Sequence, residues 1–208
     1  MAAGIVEPVV LICGATGLWG RALGVSLQAA GAHVVGGGVD QVALMGLPVE
    51  LPLTLDPADP VQVSTAIAVL EDRFGRLDLL LLADRPPAPL LADLAAAVAD
   101  RLGPLPLVEA ARPLLLSSGG RLGLLVGPGG LRAVPGAVTA CAVEQALVGA
   151  ARSWEADGLP VHLIEVPERP DDAAVKGVLA ALQPPTTPRR RDRLRATLRG
   201  LFGREAGS

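Results

Sequence analysis

Val9-Val10-Leu11-Ile12-Cys13-Gly14-Ala15-Thr16-Gly17-Leu18-Trp19-Gly20-Arg21-Ala22-Leu23 is the stretch that decides the fold. Val9 to Ile12 read as a buried strand, and Gly14, Gly17 and Gly20 as a tight turn. Ala22 to Gln28 read as the helix that the turn opens. Such a joint presents backbone N–H groups and the positive end of a helix to a diphosphate. An Ala/Gly-rich chain makes glycine triplets by chance, so the strand before and the helix after carry the assignment. A nucleotide-binding type of fold is the expectation.

Outward from this joint, strand and helix signals alternate. Ala32 to Val35 predicts a second strand, ended by Gly36-Gly37-Gly38, and Leu51 to Asp56 a short third. Pro60 to Phe74 has helical spacing through Val63, Ile67 and Leu70. Leu77 to Leu82 is an apolar run suited to a buried parallel strand. Leu90 to Leu116 predicts a long helix interrupted at Gly103-Pro104 and Pro106, where proline removes a donor. Arg121 to Val126, Val138 to Trp154, Val161 to Val166 and Asp171 to Leu182 predict strand, helix, strand and helix. The fold class is α/β: a doubly wound parallel sheet of about six strands with helices on both faces. Residues 1–183 form this domain. Residues 184–208 form a Pro-rich linker, Pro184 to Pro188, and a basic amphipathic C-terminal tail.

Composition bounds the function. The 208 residues are 50% hydrophobic with two Phe, two Trp and no Tyr, so Leu, Val and Ala must build the core. The chain has no Asn, and Lys176 is its one lysine. Cys13 and Cys141 sit among small or apolar residues and read as buried thiols of a reducing compartment. With His33 and His162 in strand-like runs, no metal site is expected. No stretch approaches the roughly 18 apolar residues of a membrane helix, and the N-terminus lacks the pattern of a signal peptide. A cytoplasmic protein is expected. The net charge of −3 divides unevenly, because Arg189 to Glu205 carries seven Arg against two acids.

Over residues 8 to 170 the chain resembles the short-chain dehydrogenase/reductase family, whose fold is of the Rossmann type. The resemblance rests on the glycine loop and on Phe74-Gly75-Arg76-Leu77-Asp78-Leu79-Leu80 before the fourth strand. Gly119-Gly120-Arg121-Leu122 before the fifth, and Val134-Pro135-Gly136 before a small-residue helix, extend it. It implies NAD(P) contacts at Gly14, Thr16, Gly17, Leu18, Gly20 and Asp56. It also implies four catalytic positions, which here carry other residues. The serine position falls on Gly127, the tyrosine on Ala140, the lysine on Glu144 and the asparagine on Asp100. Hydride transfer to a carbonyl builds alkoxide charge that needs a donor within hydrogen-bond reach, and neither Gly127 nor Ala140 has one. No catalytic residue is therefore assigned.

Cofactor positions depart from the family as well. Gly38 stands where an acid would read the ribose, and Pro57 lacks the N–H that adenine would use. Arg85 stands where glycine admits the cofactor, and Glu168 places a carboxylate near the nicotinamide. No cofactor, or weak NAD(P) binding, is expected. The glycine loop has two open readings, a retained dinucleotide site and a turn inherited with the fold. Trp19 reads as a helix-packing residue or an interface anchor, and Asp100 and Glu144 as solvated or interface charges or a new acid/base pair.

These readings combine into a catalytically degenerate, structural or regulatory subunit. The alternatives are an NAD(P)-dependent oxidoreductase with non-standard residues and a nucleotide-sensing module. The expected partner is a second copy, or an active family paralogue, bound through the helices at about 90–116 and 138–154. Val138 to Val148 carries one charge, Glu144, and is apolar or small nearly all round. Ala140, Cys141, Val143 and Leu147 are the expected contacts. The basic tail is expected to dock on an acidic surface, ahead of an anionic membrane or nucleic acid.

Overall fold

Val9–Cys13 forms β1 at the centre of the sheet, every one of its residues buried. Burying a Val, Leu or Ile side chain stabilises by about 1.5–3 kcal/mol each, so an uninterrupted apolar run is best satisfied between two covered faces. The computed structural model describes residues 7–84 and 94–183. After β1 come α1 (Leu18–Ala29), β2 (His33–Gly38), α2 (Gln41–Met45), β3 (Leu51–Thr54), α3 (Pro60–Phe74) and β4 (Leu79–Leu82). Then follow α4 (Leu94–Leu102), α5 (Leu105–Ser118), β5 (Arg121–Val126), α6 (Pro128–Leu131), α7 (Val138–Ala156), β6 (Val161–Glu165) and α8 (Asp172–Ala181).

The six strands lie in the order β3-β2-β1-β4-β5-β6, all parallel. The doubly wound sheet expected from the alternation is therefore present. Alternate side chains of β1 feed two cores. Val9, Leu11 and Cys13 face a layer made with α3, α5 and α7. Val10 and Ile12 face a layer made with Trp19 and Leu23 of α1 and Val178 of α8.

The glycines at 36–38 belong to β2 rather than ending it. An added Cβ at Gly37 would stand 2.9 Å from Leu55, and one at Gly36 would stand 3.2 Å from Ala15. Bare backbone there lets both neighbours close on the strand. The expected long helix from Leu90 divides into α4 and α5 at Gly103-Pro104, and Pro106 is tolerated because it lies in the first turn of α5. α2 and α6 were not expected. Residues 85–93, which include Arg85, and the linker and tail from 184 lie outside the described residues.

At the end of the sheet opposite the glycine loop, His33, the first residue of β2, links the residues that precede β1 and β3. Its Nδ1 lies 2.5 Å from Glu50, its Nε2 lies 3.3 Å from Glu7, and Arg73 reaches Glu50 at 3.4 Å. The hydrogen bond from His33 is the main cause holding the Glu50 carboxyl below its usual range, and Arg73 adds to it. A depressed carboxylate pKa stabilises the fold above the unfolded-state value and is lost as the pH falls through the folded value. Thermal melts of wild type and Glu50→Gln should therefore differ above pH 5 and converge in acid. Parallel curves down to pH 3 would contradict this assignment.

Candidate functional site: the carboxyl-terminal rim of the sheet

Gly14 has φ +80°, a conformation glycine adopts at no steric cost. A Cβ there would stand 2.7 Å from that of Asp84 and 2.8 Å from its backbone nitrogen. The carbonyl of Gly14 in turn lies against α1, where a Cβ at Gly20 would fall 2.2 Å from it. Gly14 and Gly20 are thus required by the packing of β1, α1 and the end of β4. Gly17 is different, since the nearest atom to its Cβ position is the Gly14 carbonyl oxygen at 3.3 Å. The loop is anchored by the Gly14 and Ala15 N–H groups, which both donate to Gly37 O at 3.0 Å.

Gly17 caps α1 with no side-chain hydrogen bond. The first N–H groups of α1 thus have no side-chain cap, and this end of the helix keeps its partial positive charge. Leu18 is exposed, and Arg21 beside it donates from Nε to Thr16 O at 2.8 Å. The helix end and Arg21 bring positive charge to this half of the rim, and the Asp84 carboxylate stands against them, 3.9 Å from the Gly17 Cβ position.

The ends of β2 and β3 are engaged differently. A Cβ at Gly38 would make ordinary contact with Thr16 and Leu44 at 3.5–3.6 Å, so those side chains line the strand end. The Asp56 carboxylate accepts from Ala58 N at 2.9 Å, closing its own turn, and Asp56 N donates to Gln62 Oε1 at 2.9 Å. The acid expected to contact adenine is engaged locally, and so is its backbone donor. The Asp84 carboxylate lies at the glycine loop, within 3.9 Å of the Gly17 Cβ position. Burial, reinforced by Asp84 and then Asp56, pushes the Cys13 thiol up to about 12. Cys13 is consequently a protonated packing residue and not a nucleophile.

Two of the catalytic positions from the resemblance, Gly127 and Ala140, lie at the neighbouring helices α6 and α7. Gly127 caps α6, and a Cβ at Gly129 would stand 3.0 Å from Cys141 Cα. Gln145 Nε2 holds Gly130 O at 2.6 Å, fixing α6 on the α7 face that carries Ala140 and Cys141.

Glu144 corrects the expectation of a solvated or interface charge. Arg101 of α4, 5% exposed, donates to Glu144 Oε2 from Nη2 at 2.9 Å and from Nε at 3.3 Å. The same guanidinium donates to Asp84 O at 2.8 Å and to Leu125 O. β4 ends at Leu82 while β5 runs on to Val126. Arg101 therefore satisfies carbonyls left unpaired where the two strands part. Sequence reasoning missed Arg101. The available signal was a basic residue four after Ala97 on the inward stripe of one helix, with the lone charge of another helix to match it. Asp100, its neighbour, is exposed as expected.

Trp19 is 2% exposed, and its indole donates to Pro167 O at 3.0 Å, which makes it a packing residue and not an interface anchor. The expected contacts on α7 also need correction. Leu147 is buried in the sheet-facing core, Val143 is buried as well, and Ala140 and Cys141 are half covered. Val138, Ala142, Ala146, Gly149 and Arg152 face outward instead. Both cysteines are free, and among the described residues no three His, Cys, Asp or Glu side chains cluster as a metal site. Among the described residues no helix is long and apolar enough to cross a membrane.

No protein-family model matches the chain, and no curated protein matches it. Solved structures do. A short-chain dehydrogenase from Streptomyces avermitilis superposes with a TM-score of 0.67 at 21% identity, over 98% of this chain and 100% of that one. An apo SCOR enzyme from Clostridium thermocellum gives 0.68 at 17% identity over 88% of each chain. A short chain dehydrogenase from Bacillus anthracis gives 0.66 at 20% over 76% and 73%. With its six parallel strands in the order above, the chain has the fold of the short-chain dehydrogenases.

Proposed function

We propose that this protein is a non-catalytic member of that structural class, a structural or regulatory subunit of a homo- or hetero-oligomer. The observation that carries the reading is the Arg101–Glu144 pair. The family resemblance puts a ribose-holding lysine at position 144, and here a carboxylate stands there, neutralised from inside the protein by a buried arginine. A methyl group at 140 and bare backbone at 127 leave no proton donor for an alkoxide. A second reading, a nucleotide-sensing module, is favoured by the start of α1, whose first N–H groups no side chain caps and where a phosphate group could be received.

The expected result with NADH or NADPH and a panel of aldehydes and ketones is no protein-dependent turnover. Calorimetry should give dissociation constants weaker than micromolar, that is, less than about 8 kcal/mol of binding. Turnover abolished by Gly20→Val, in a variant that retains its fold, would overturn the reading.

Glu144→Leu should cost about 3–5 kcal/mol, because it leaves the Arg101 charge buried without its partner. Arg101→Met should cost a further 1–3 kcal/mol or so, since the Asp84 and Leu125 carbonyls lose their donor as well. Denaturant melts of both variants and of the double variant measure this order. Equal losses in the two single variants would show that the carbonyl contacts contribute nothing.

Assembly is proposed through the outward faces of α5 and α7. Small residues at 142, 146 and 149 on α7 let a second helix approach closely, and exposed Pro113 and Leu116 of α5 extend the face. Trp154 of α7 donates to Glu109 of α5 at 2.6 Å and Arg112 of α5 reaches Asp157 at 3.1 Å, so the two helices present one surface. Ala146→Arg should convert a dimer to a monomer in light scattering without lowering the monomer's melting temperature. A wild-type monomer with no partner recovered from its host would remove this part of the proposal.

A further inference from the structure

The two ends of the sheet differ in character. Before the strands, charges are matched, with Arg76 on Asp78 and Arg73 and His33 on Glu50. The rim after the strands is unbalanced. Asp40, Asp56, Asp59, Asp84, Glu168 and Asp171 stand there against Arg21, Arg132 and Arg169, and Arg132 is already held by Glu165 at 2.9 Å. The same rim exposes aliphatic side chains: Leu18 is 60% exposed, Val42 85% and Val138 76%, with Val39, Val61 and Leu131 beside them in the loops and helix starts. An acidic rim that also carries exposed aliphatic groups marks an interaction surface.

Residues 184–208 carry the complementary pattern. Leu194, Leu198, Leu201 and Phe202 recur at helical spacing, and seven Arg against two acids fill 189–205. The described chain ends beside the start of β5, where Arg121 Nε donates to Leu182 O at 2.6 Å. From there to the rim is the length of β5, about 20 Å at ~3.3 Å per residue. Ten residues of extended chain span up to about 33–36 Å, so 184–193 reach the rim. The turn after β6 is pinned to the start of α1 by Trp19 and Pro167, which brings Glu168 and Leu18 to the same side.

We propose that the basic segment 189–205 docks in cis on the rim, with its arginines on the rim carboxylates and its Leu/Phe stripe on the exposed aliphatic groups. This inference does not depend on whether the protein is catalytic, because it rests on the rim and the segment alone.

Hydrogen exchange on the full chain tests it, comparing wild type with Leu198→Asp/Leu201→Asp and with Arg189→Glu/Arg190→Glu/Arg191→Glu. All five substituted positions lie outside the described residues. Peptides covering 14–24 and 128–142 should exchange faster in both variants, on the order of fivefold. Peptides covering α3 and α5 should not change. About 1 M salt, where the screening length is about 3 Å, should remove most of the wild-type protection. Identical exchange at the rim in wild type and variants overturns the proposal. So does protection that rises with protein concentration, since that reports docking on a second copy, and so does a change confined to other surfaces.

Discussion

The approach of the Gly14 carbonyl to Gly20 is the constraint on which the rest of the molecule depends. It sets how closely α1 lies on the end of β1, and the backbone of Asp84 closes on Gly14 from the other side. The same turn donates twice to Gly37, so β2 is fixed to it too. Three strands and a helix are thereby registered at one point with almost no side-chain volume. A side chain at position 20 would have to displace backbone, and the two core layers on either side of β1 could not both close. The glycine pattern associated with nucleotide binding is thus also the pattern that this packing requires. Its retention says more about the fold than about a ligand.

The rim beyond β4 and β5 is held by charge. Arg101 performs two tasks, completing the hydrogen bonding of two carbonyls where β4 and β5 part and neutralising Glu144. Each side of this arrangement makes the other tolerable: a buried guanidinium needs a counter-charge, and a buried carboxylate needs donors. The polar groups at this part of the rim are therefore satisfied from within. The end of β3 shows the same habit, with Asp56 turned into its own loop and its N–H on Gln62.

Much of this was legible in the sequence. Continuous apolar runs marked β1, β4 and β5, and helical spacing gave α3 its bounds from Pro60 to Phe74. The glycines of β2 were misread as a stop, because a bare strand under a buried Leu55 has no signature of its own. Gly127, Ala140 and Glu144 were flagged by their departure from a pattern. The partner of Glu144 was not, because pairing across 43 residues is decided by how α4 leans on α7 and not by local spacing. The face of α7 was misjudged for a related reason. With Ala, Val, Leu and Gly around the whole helix, local spacing does not distinguish the inward residues, and the sheet chose Leu147, Val148, Ala151 and Trp154.

The chain has no tyrosine, and its two tryptophans fall one to each side of the sheet. Trp19 lies in the layer with α1 and α8, its indole on Pro167. Trp154 lies in the layer with α3 and α5, its indole on Glu109. Each indole is held by a hydrogen bond to a neutral carbonyl or to a carboxylate, so their emission bands should differ. The protein thus carries a separate fluorophore for each half of its interior. Loosening of the layer beneath the glycine loop would be seen apart from loosening of the layer that carries the proposed assembly face.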